Sequence, residues 1–254
     1  MSLSHLSLYN CNIVGSIPTS VGNLTQLAYL SMSSNKFNGH IPSLLSNLAN
    51  LRFLDLSYNN IIGEFPDIFV NLTQLSFLSL TSNQLTGPIP SCVNVLQNLA
   101  YISFSTNNLS GTIPSWLFTL PLLQTIYLDH NRLHGSIPGS IFELVNLTDL
   151  GLSSNNLSGI VELHLFSKLK NLEFLDLSYN SLSVNTTFKA NSSFAQLQWL
   201  LLSGCNLIEF PGILRTVNRL QQLDLSDNKI NGQIPNWMWD IGKDTLFLSK
   251  SFPQ

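Results

Sequence analysis

Leucine recurs along this chain at intervals close to 24 residues. The series through Leu27, Leu51 and Leu75 continues in both directions, with steps of 23 to 25 residues. A pattern repeated at such a period predicts a solenoid of stacked units, because one unit alone cannot bury its apolar face. The units are predicted to start at 3, 27, 51, 75, 99, 123, 147, 172, 197 and 220, within a single domain that covers residues 1–254.

Each unit opens with the pattern L-x-x-L-x-L-x-x-N-x-L, as residues 51–61 show. Apolar and polar residues alternate across x-L-x-L-x, which is the period of a β-strand. Ten such strands, spaced by about 4.8 Å, predict a parallel sheet about 45 Å long. Most units continue with G-x-I-P, and the short segment that follows predicts a 3₁₀ or irregular turn on the opposite side.

The ninth position of each unit must leave the strand and enter a buried turn. Asparagine suits this position, because its amide both donates to and accepts from backbone groups that would otherwise be buried without partners. Cys11 and Cys205 hold the same position in two units, and we interpret them as buried ladder residues, too far apart for a disulfide. The predicted asparagine ladder comprises Asn35, Asn59, Asn83, Asn107, Asn131, Asn155, Asn180 and Asn228.

Two stretches depart from the repeat. Residues 160–196 form irregular units, and the polar run from Asn185 to Ser193 predicts a bulging surface loop. This loop is either a functional insertion or an irregular turn. Residues 244–254 are expected to form an incomplete unit.

Composition narrows the range of functions. Apolar residues make up 44% of the chain and charged residues 10%, which excludes a charge-driven disordered chain. The net charge of −3 argues against nucleic acid as a partner. The chain contains no apolar run of the roughly 20 residues that a membrane span needs, and its first residues do not resemble a secretory signal.

Enzymatic motifs are not evident. His130 and His134 have a spacing that occurs in some metal sites, but no third ligand lies close in sequence. A nucleophile elbow and a phosphate-binding loop are both missing. We therefore predict a protein that is not an enzyme, with no catalytic residues, no metal site and no cofactor.

The 24-residue unit with G-x-I-P resembles the plant-specific class of leucine-rich repeat. A narrower resemblance is carried by residues 203–211, which read S-x-C-N-L-x-x-F-P, and by residues 228–239. These segments are similar to units of plant receptor-like proteins, a family that includes cell-surface receptors for microbial patterns. The resemblance implies an α/β repeat solenoid, a right-handed superhelix with a parallel β-sheet on its concave face and irregular or 3₁₀ turns on its convex face.

The resemblance also implies a function. It indicates the extracellular ligand-recognition region of a receptor at the plasma membrane, with a peptide, protein or glycan ligand and a receptor kinase as partners, in defence or developmental signalling. Family members carry a signal peptide, two caps and a membrane span, so this chain is expected to be a partial product. The alternatives are a soluble inhibitor of a microbial cell-wall hydrolase, similar to the inhibitors of fungal polygalacturonases, and a non-functional remnant.

The third position of each unit is predicted to face outward on the concave surface. Six of the ten side chains there are aromatic, which predicts either a protein-binding patch or a row of rings that pack on one another. Unit six also breaks a serine-rich pattern with larger, chargeable groups, for which ordinary drift on a solvated face is the alternative explanation. The predicted ligand-binding residues are Phe53, Phe77, Tyr101, Tyr127, Asp129, His130 and Asp149.

Glycosylation sequons are a weak sign of secretion, because their number is close to what chance gives for this composition. We expect Asn185 and Asn191 to be the best exposed of them. The seven sequons begin at Asn23, Asn71, Asn108, Asn146, Asn156, Asn185 and Asn191.

Overall fold

A computed structural model of the chain describes residues 3–65, 68–90, 96–187 and 193–241. Within these ranges the backbone alternates between short strands and 3₁₀ helices. The strands are β1 His5–Ser7, β2 Val14–Ser16, β3 Tyr29–Ser31, β4 Lys36–Gly39, β5 Phe53–Asp55, β6 Asn60–Glu64, β7 Phe77–Ser79, β8 Gln84–Pro88, β9 Tyr101–Ser103, β10 Asn108–Ser110, β11 Thr125–Tyr127, β12 His134–Gly135, β13 Asp149–Gly151, β14 Asn156–Glu162, β15 Phe174–Asp176, β16 Ser181–Asn185, β17 Trp199–Leu201 and β18 Gln222–Asp224. The 3₁₀ helices are η1 Thr19–Asn23, η2 Ser43–Asn47, η3 Phe69–Asn71, η4 Ser115–Thr119, η5 Gly139–Glu143, η6 Leu163–Lys168, η7 Gly212–Thr216 and η8 Asn236–Asp240.

The main sheet contains ten parallel strands, one from each repeat, in the order β1-β3-β5-β7-β9-β11-β13-β15-β17-β18. Neighbouring strands pair at equivalent repeat positions, so His5 lies beside Tyr29 and Tyr29 beside Phe53. The central residue of each strand, a leucine or isoleucine, points inward, and Leu30 and Leu54 are fully buried. The predicted fold class, an α/β repeat solenoid with a parallel sheet and 3₁₀ turns, is therefore confirmed.

A second set of strands follows the ladder position and was not predicted. Strands β2, β4, β6, β8 and β10 form a five-stranded sheet, and β12, β14 and β16 form a three-stranded one. In β4, Lys36 and Asn38 are exposed while Phe37 between them is buried, which is strand alternation. Gly39 ends this strand at a φ of 69°, a left-handed conformation that glycine adopts more readily than other residues.

The ladder asparagines connect each unit to the one before it. The amide of Asn83 donates to the carbonyl of Leu56 in the preceding unit at 3.0 Å and to that of Leu80 in its own unit at 3.2 Å. Its carbonyl oxygen accepts the backbone N–H of Ile61 at 3.0 Å. Buried backbone groups that face no strand thus gain partners. The same arrangement is made by Asn35, Asn59, Asn107, Asn131, Asn155, Asn180 and Asn228.

The two cysteines at the ladder position differ from each other. Cys205 is fully buried, and its thiol donates to the carbonyl of Leu177 in the preceding unit at 3.5 Å. Burial raises the pKa of the Cys205 thiol to about 12, so it stays protonated at neutral pH. Cys11 is exposed, and the expectation of a buried thiol is wrong there, because its unit lies at the edge of the main sheet with a neighbour on one side only. Cys92 lies outside the described residues.

The irregular units are more ordered than the sequence indicated. Strand β14 continues to Glu162 and pairs in register with β16 over five residues. The predicted loop is therefore wrong at its start, because Asn185 is the last residue of β16 and pairs with Glu162. The part of this loop at residues 188–192 and the predicted incomplete unit at residues 244–254 lie outside the described residues.

Candidate functional site

A row of stacked rings occupies the outward face of the first five strands of the main sheet. The rings of His5, Tyr29, Phe53, Phe77 and Tyr101 lie nearly parallel, with centroids 4.0 to 4.3 Å apart and interplanar angles of 6° to 10°. Isolated aromatic pairs prefer wider, offset or edge-to-face arrangements, so the strand spacing imposes this stack. Of the two alternatives left open by the sequence, the structure shows rings that pack on one another, with Tyr29, Phe53, Phe77 and Tyr101 half-buried.

The row changes direction at unit six. Thr125 takes the third position there and has no ring, and the ring of Tyr127, two residues further on, lies edge-to-face to Tyr101 at 6.3 Å and to Phe174 at 6.0 Å. Gly151 in the next strand leaves room for this ring, because an added Cβ would approach Cδ1 of Tyr127 to 2.7 Å and Oδ1 of Asp129 to only 2.5 Å. Gly151 is therefore required here by space and not by its backbone conformation.

The Tyr127 phenol is held by a hydrogen bond. It donates to Oδ1 of Asp149 at 3.2 Å, and Oδ2 of the same carboxylate accepts the hydroxyl of Thr148 at 2.6 Å. Burial, followed by the negative charge of Asp149, raises the pKa of Tyr127 well above its usual value. Tyr127 is consequently a neutral hydrogen-bond donor in a fixed orientation across the physiological pH range.

Asp129 and His130 follow Tyr127 at the end of strand β11. Asp129 is half-buried, and burial raises the pKa of its carboxyl group above the usual range despite hydrogen bonds that act in the opposite direction. His130 is exposed at a φ of 54°, a left-handed conformation that the residue before the ladder asparagine adopts throughout the array. The two side chains therefore have opposite environments, one partly withdrawn from water and one in it.

A groove of about 470 Å³ crosses the outward face at units three to six. Four predicted ligand-binding residues line it: Phe77, Tyr101, Tyr127 and Asp129. The other three do not: Phe53 belongs to the stack, Asp149 positions Tyr127, and His130 lies outside the lining. This groove is the candidate binding site.

Two further lining residues were missed by the sequence analysis. Asp55 holds the same repeat position as Tyr127, three units earlier, and Tyr58 holds the position of His130. Both would have been identified by comparing the residues at the fifth and eighth positions of all units, in addition to the aromatic third position. The remainder of the lining is mostly hydroxyl groups, among them Ser79, Ser103 and Thr106.

The sequons do not follow the predicted order of exposure. Asn185 is half-buried, and its amide donates to Oε1 of Glu162 at 3.1 Å, so the expectation that it is among the best exposed is wrong. Asn108 is also half-buried, and Asn191 lies outside the described residues. The exposed sequons are Asn23, Asn71, Asn146 and Asn156.

The repeat pattern and the stacked units are those of leucine-rich-repeat proteins. Sequence comparison matches the family described as leucine rich repeat at residues 1–61 and 74–133, with further single repeats at 171–191 and 219–241. The chain belongs to the leucine-rich-repeat family.

Among its relatives is Receptor like protein 28 of Arabidopsis thaliana, 46% identical over 80 residues. That match covers 32% of this chain and 10% of the relative. The predicted resemblance to plant leucine-rich-repeat receptor-like proteins is thus confirmed over part of the chain, and the chain spans a small part of such relatives.

Two solved receptor structures are similar over nearly the whole chain. The ectodomain of the receptor kinase GASSHO1/SCHENGEN3 from Arabidopsis thaliana, in complex with CASPARIAN STRIP INTEGRITY FACTOR 2, superposes with a TM-score of 0.86 at 34% identity. It covers 96% of this chain, and this chain covers 29% of it. The plant peptide hormone receptor RGFR1 in complex with RGF2 gives a TM-score of 0.84 at 32% identity, over 94% of this chain and 38% of that one.

No helix within the described residues has the length and apolar character needed to cross a membrane.

Proposed function

We propose that this chain is part of the extracellular ligand-recognition region of a plant receptor-like protein, and that it binds a peptide or protein ligand in the groove at units three to six. The parent protein would lie at the plasma membrane and signal through a receptor kinase partner, in defence or development. The observation that carries the proposal is the groove itself, where aromatic rings and a partly buried carboxylate meet on an otherwise serine-rich surface.

The chemistry of the groove supports this role. Ring edges beside hydroxyl groups offer apolar contact and hydrogen bonds together, as protein-binding surfaces do. Tyr127 is fixed by Asp149 and by the space above Gly151, so little side-chain freedom is lost when a ligand binds. The similar receptors GASSHO1/SCHENGEN3 and RGFR1 were solved with ligands, which favours recognition by the same kind of array.

The test is a selection of binders from a phage-displayed library of random linear peptides against the secreted chain. The groove variant replaces Tyr101, Tyr127 and Asp129 by alanine, all of which line the groove. The control variant replaces Asn38, Asn60 and Gln84 by alanine. These three residues are exposed on the five-stranded sheet. We expect selected peptides to bind the wild type and the control equally and the groove variant at least about tenfold more weakly, since anchoring residues each contribute more than about 1 kcal/mol.

Circular dichroism of both variants establishes that they are folded. Peptides that bind the folded groove variant as tightly as the wild type would refute the proposal, as would a selection without groove-dependent binders. Inhibition of a fungal polygalacturonase by the chain would favour the alternative function instead.

A further inference from the structure

Lysine and arginine are absent from one face of this chain. The numbers of positively and negatively charged residues in the whole chain are nearly equal, with 11 lysines and arginines against 14 acidic residues. The outward face of the main sheet, taken as the third, fifth, seventh and eighth positions of the ten units, has no lysine or arginine. Its acidic residues are Asp55, Asp129, Asp149, Asp176, Asp224 and Asp227. A face with one sign of charge attracts a ligand of the opposite sign and disfavours a ligand of the same sign.

Most of these carboxylates already have local partners. Asp149 accepts hydrogen bonds from Tyr127 and Thr148, and Asp227 accepts one from the phenol of Tyr179. Asp55 and Asp176 accept from the backbone N–H groups two residues further on. These hydrogen bonds orient the carboxylates but do not neutralise their charges.

Asp129 is the carboxylate on which ligand binding would have the largest effect. It lies in the groove and is half-buried, so its charge is partly removed from water. The only ion pair within 4 Å among the described residues joins His164 to Glu162, in another part of the array. Burial raises the pKa of Asp129, and the hydrogen bonds from Ser105 and from its own backbone, together with nearby His130, offset this only in part, so the charge is incompletely compensated in the free protein.

The groove also presents aromatic rings around this carboxylate. Phe77, Tyr101 and Tyr127 line it together with Tyr58, which is 59% exposed. Ring faces and edges beside a carboxylate form a site for a guanidinium or ammonium group, which gains both cation–π and charge-assisted hydrogen-bond interactions.

We infer that the ligand of this groove is a peptide with a basic side chain, arginine or lysine, that inserts among Tyr58, Tyr101 and Tyr127 and pairs with Asp129. This inference rests on the proposed function and adds the chemical class of the ligand. Arginine fits better than lysine, because its planar group can stack on a ring and pair with a carboxylate at the same time.

The same peptide selection tests this inference separately from the proposed function. We expect groove-dependent peptides to be enriched in arginine or lysine relative to the library. Groove-dependent peptides without basic residues would overturn the inference and leave the proposed function standing. A selection without groove-dependent peptides would overturn both.

A double-mutant cycle then tests the pairing itself. Arginine in a selected peptide is replaced by citrulline, which keeps the shape and removes the charge, and binding is measured by calorimetry to the wild type and to Asp129→Asn. Loss of one charge-assisted hydrogen-bonded pair weakens binding roughly 10- to 100-fold, so citrulline should weaken binding to the wild type by that factor and binding to Asp129→Asn much less.

Asp176→Asn is the matched control, because Asp176 lies on the same face but does not line the groove. It should leave the effect of citrulline unchanged. An equal effect of citrulline on the wild type and on Asp129→Asn would show that the basic side chain binds elsewhere, and would overturn the pairing with Asp129.

Discussion

Replacement of one ladder asparagine should destabilise the whole array, and Asn83→Ala is the sharpest case. Alanine removes the donor to the carbonyl of Leu56 and the acceptor for the N–H of Ile61, and both of these backbone groups belong to the preceding unit. Asn83 is only 8% exposed, so water cannot readily replace the amide. The N–H of Ile61 loses this partner, whereas the carbonyl of Leu56 still accepts from the amide of Asn59 at 3.1 Å. One buried backbone group left without a partner costs roughly 1–3 kcal/mol, which is the loss we expect in the free energy of unfolding.

The assay is urea denaturation followed by circular dichroism. The adjacent substitution Gln84→Ala is the control. Gln84 is exposed on the five-stranded sheet, so its replacement should change the free energy of unfolding by less than about 0.5 kcal/mol. If Asn83→Ala is no less stable than Gln84→Ala, the amide does not connect the units as we describe, and the ladder has no energetic role at this position.

Three further predictions follow from the structure. Gly151→Ala should displace the ring of Tyr127 and reduce peptide binding in the groove while the chain remains folded; an unchanged near-ultraviolet dichroism spectrum together with unchanged binding would contradict this. Because burial raises the pKa of Asp129, the folded chain holds this proton more tightly than the unfolded chain, so stability from this group is greatest at low pH and declines as the pH rises through the raised pKa. Asp129→Asn should therefore be more stable than the wild type at pH 7 and lose that advantage near pH 3, which denaturation at the two pH values measures. In a chain secreted from plant cells, glycopeptide mass spectrometry should find higher occupancy at Asn156 than at Asn185, whose amide is bonded to Glu162; the reverse order would show that burial in the folded chain does not limit modification.

The main sheet was predictable because its signal repeats ten times in register. One unit such as residues 51–61 would be ambiguous, but the same alternation at a 24-residue period leaves a parallel stack as the arrangement that buries the inward residues of successive strands against one another. The second set of strands was missed because its strands are short and most contain a glycine with positive φ, such as Gly39. Alternation over three residues, as from Lys36 to Asn38, is too short to distinguish a strand from a turn.

The candidate site was only partly predictable. Equivalent positions of neighbouring units lie side by side, so the order of the stacked rings could be read from the sequence. The contacts of Tyr127 with Phe174 and Asp149 run diagonally between rows, and they depend on the empty space above Gly151. The single glycine at position 151 is not part of a repeating pattern in the sequence, so these contacts could be found only from the structure.

The stacked rings from Tyr29 to Tyr101 also have an optical consequence. Aromatic chromophores whose centroids lie 4.2 to 4.3 Å apart couple their electronic transitions, and the coupled dichroism vanishes when neighbouring rings separate. Opening of any unit between Tyr29 and Tyr101 would therefore change the near-ultraviolet spectrum. In a variant with Trp116, Trp237 and Trp239 replaced by phenylalanine, the indole of Trp199, four units beyond Tyr101, would at the same time report by fluorescence on the other half of the array, so that two wavelengths could follow the unravelling of one chain from two positions.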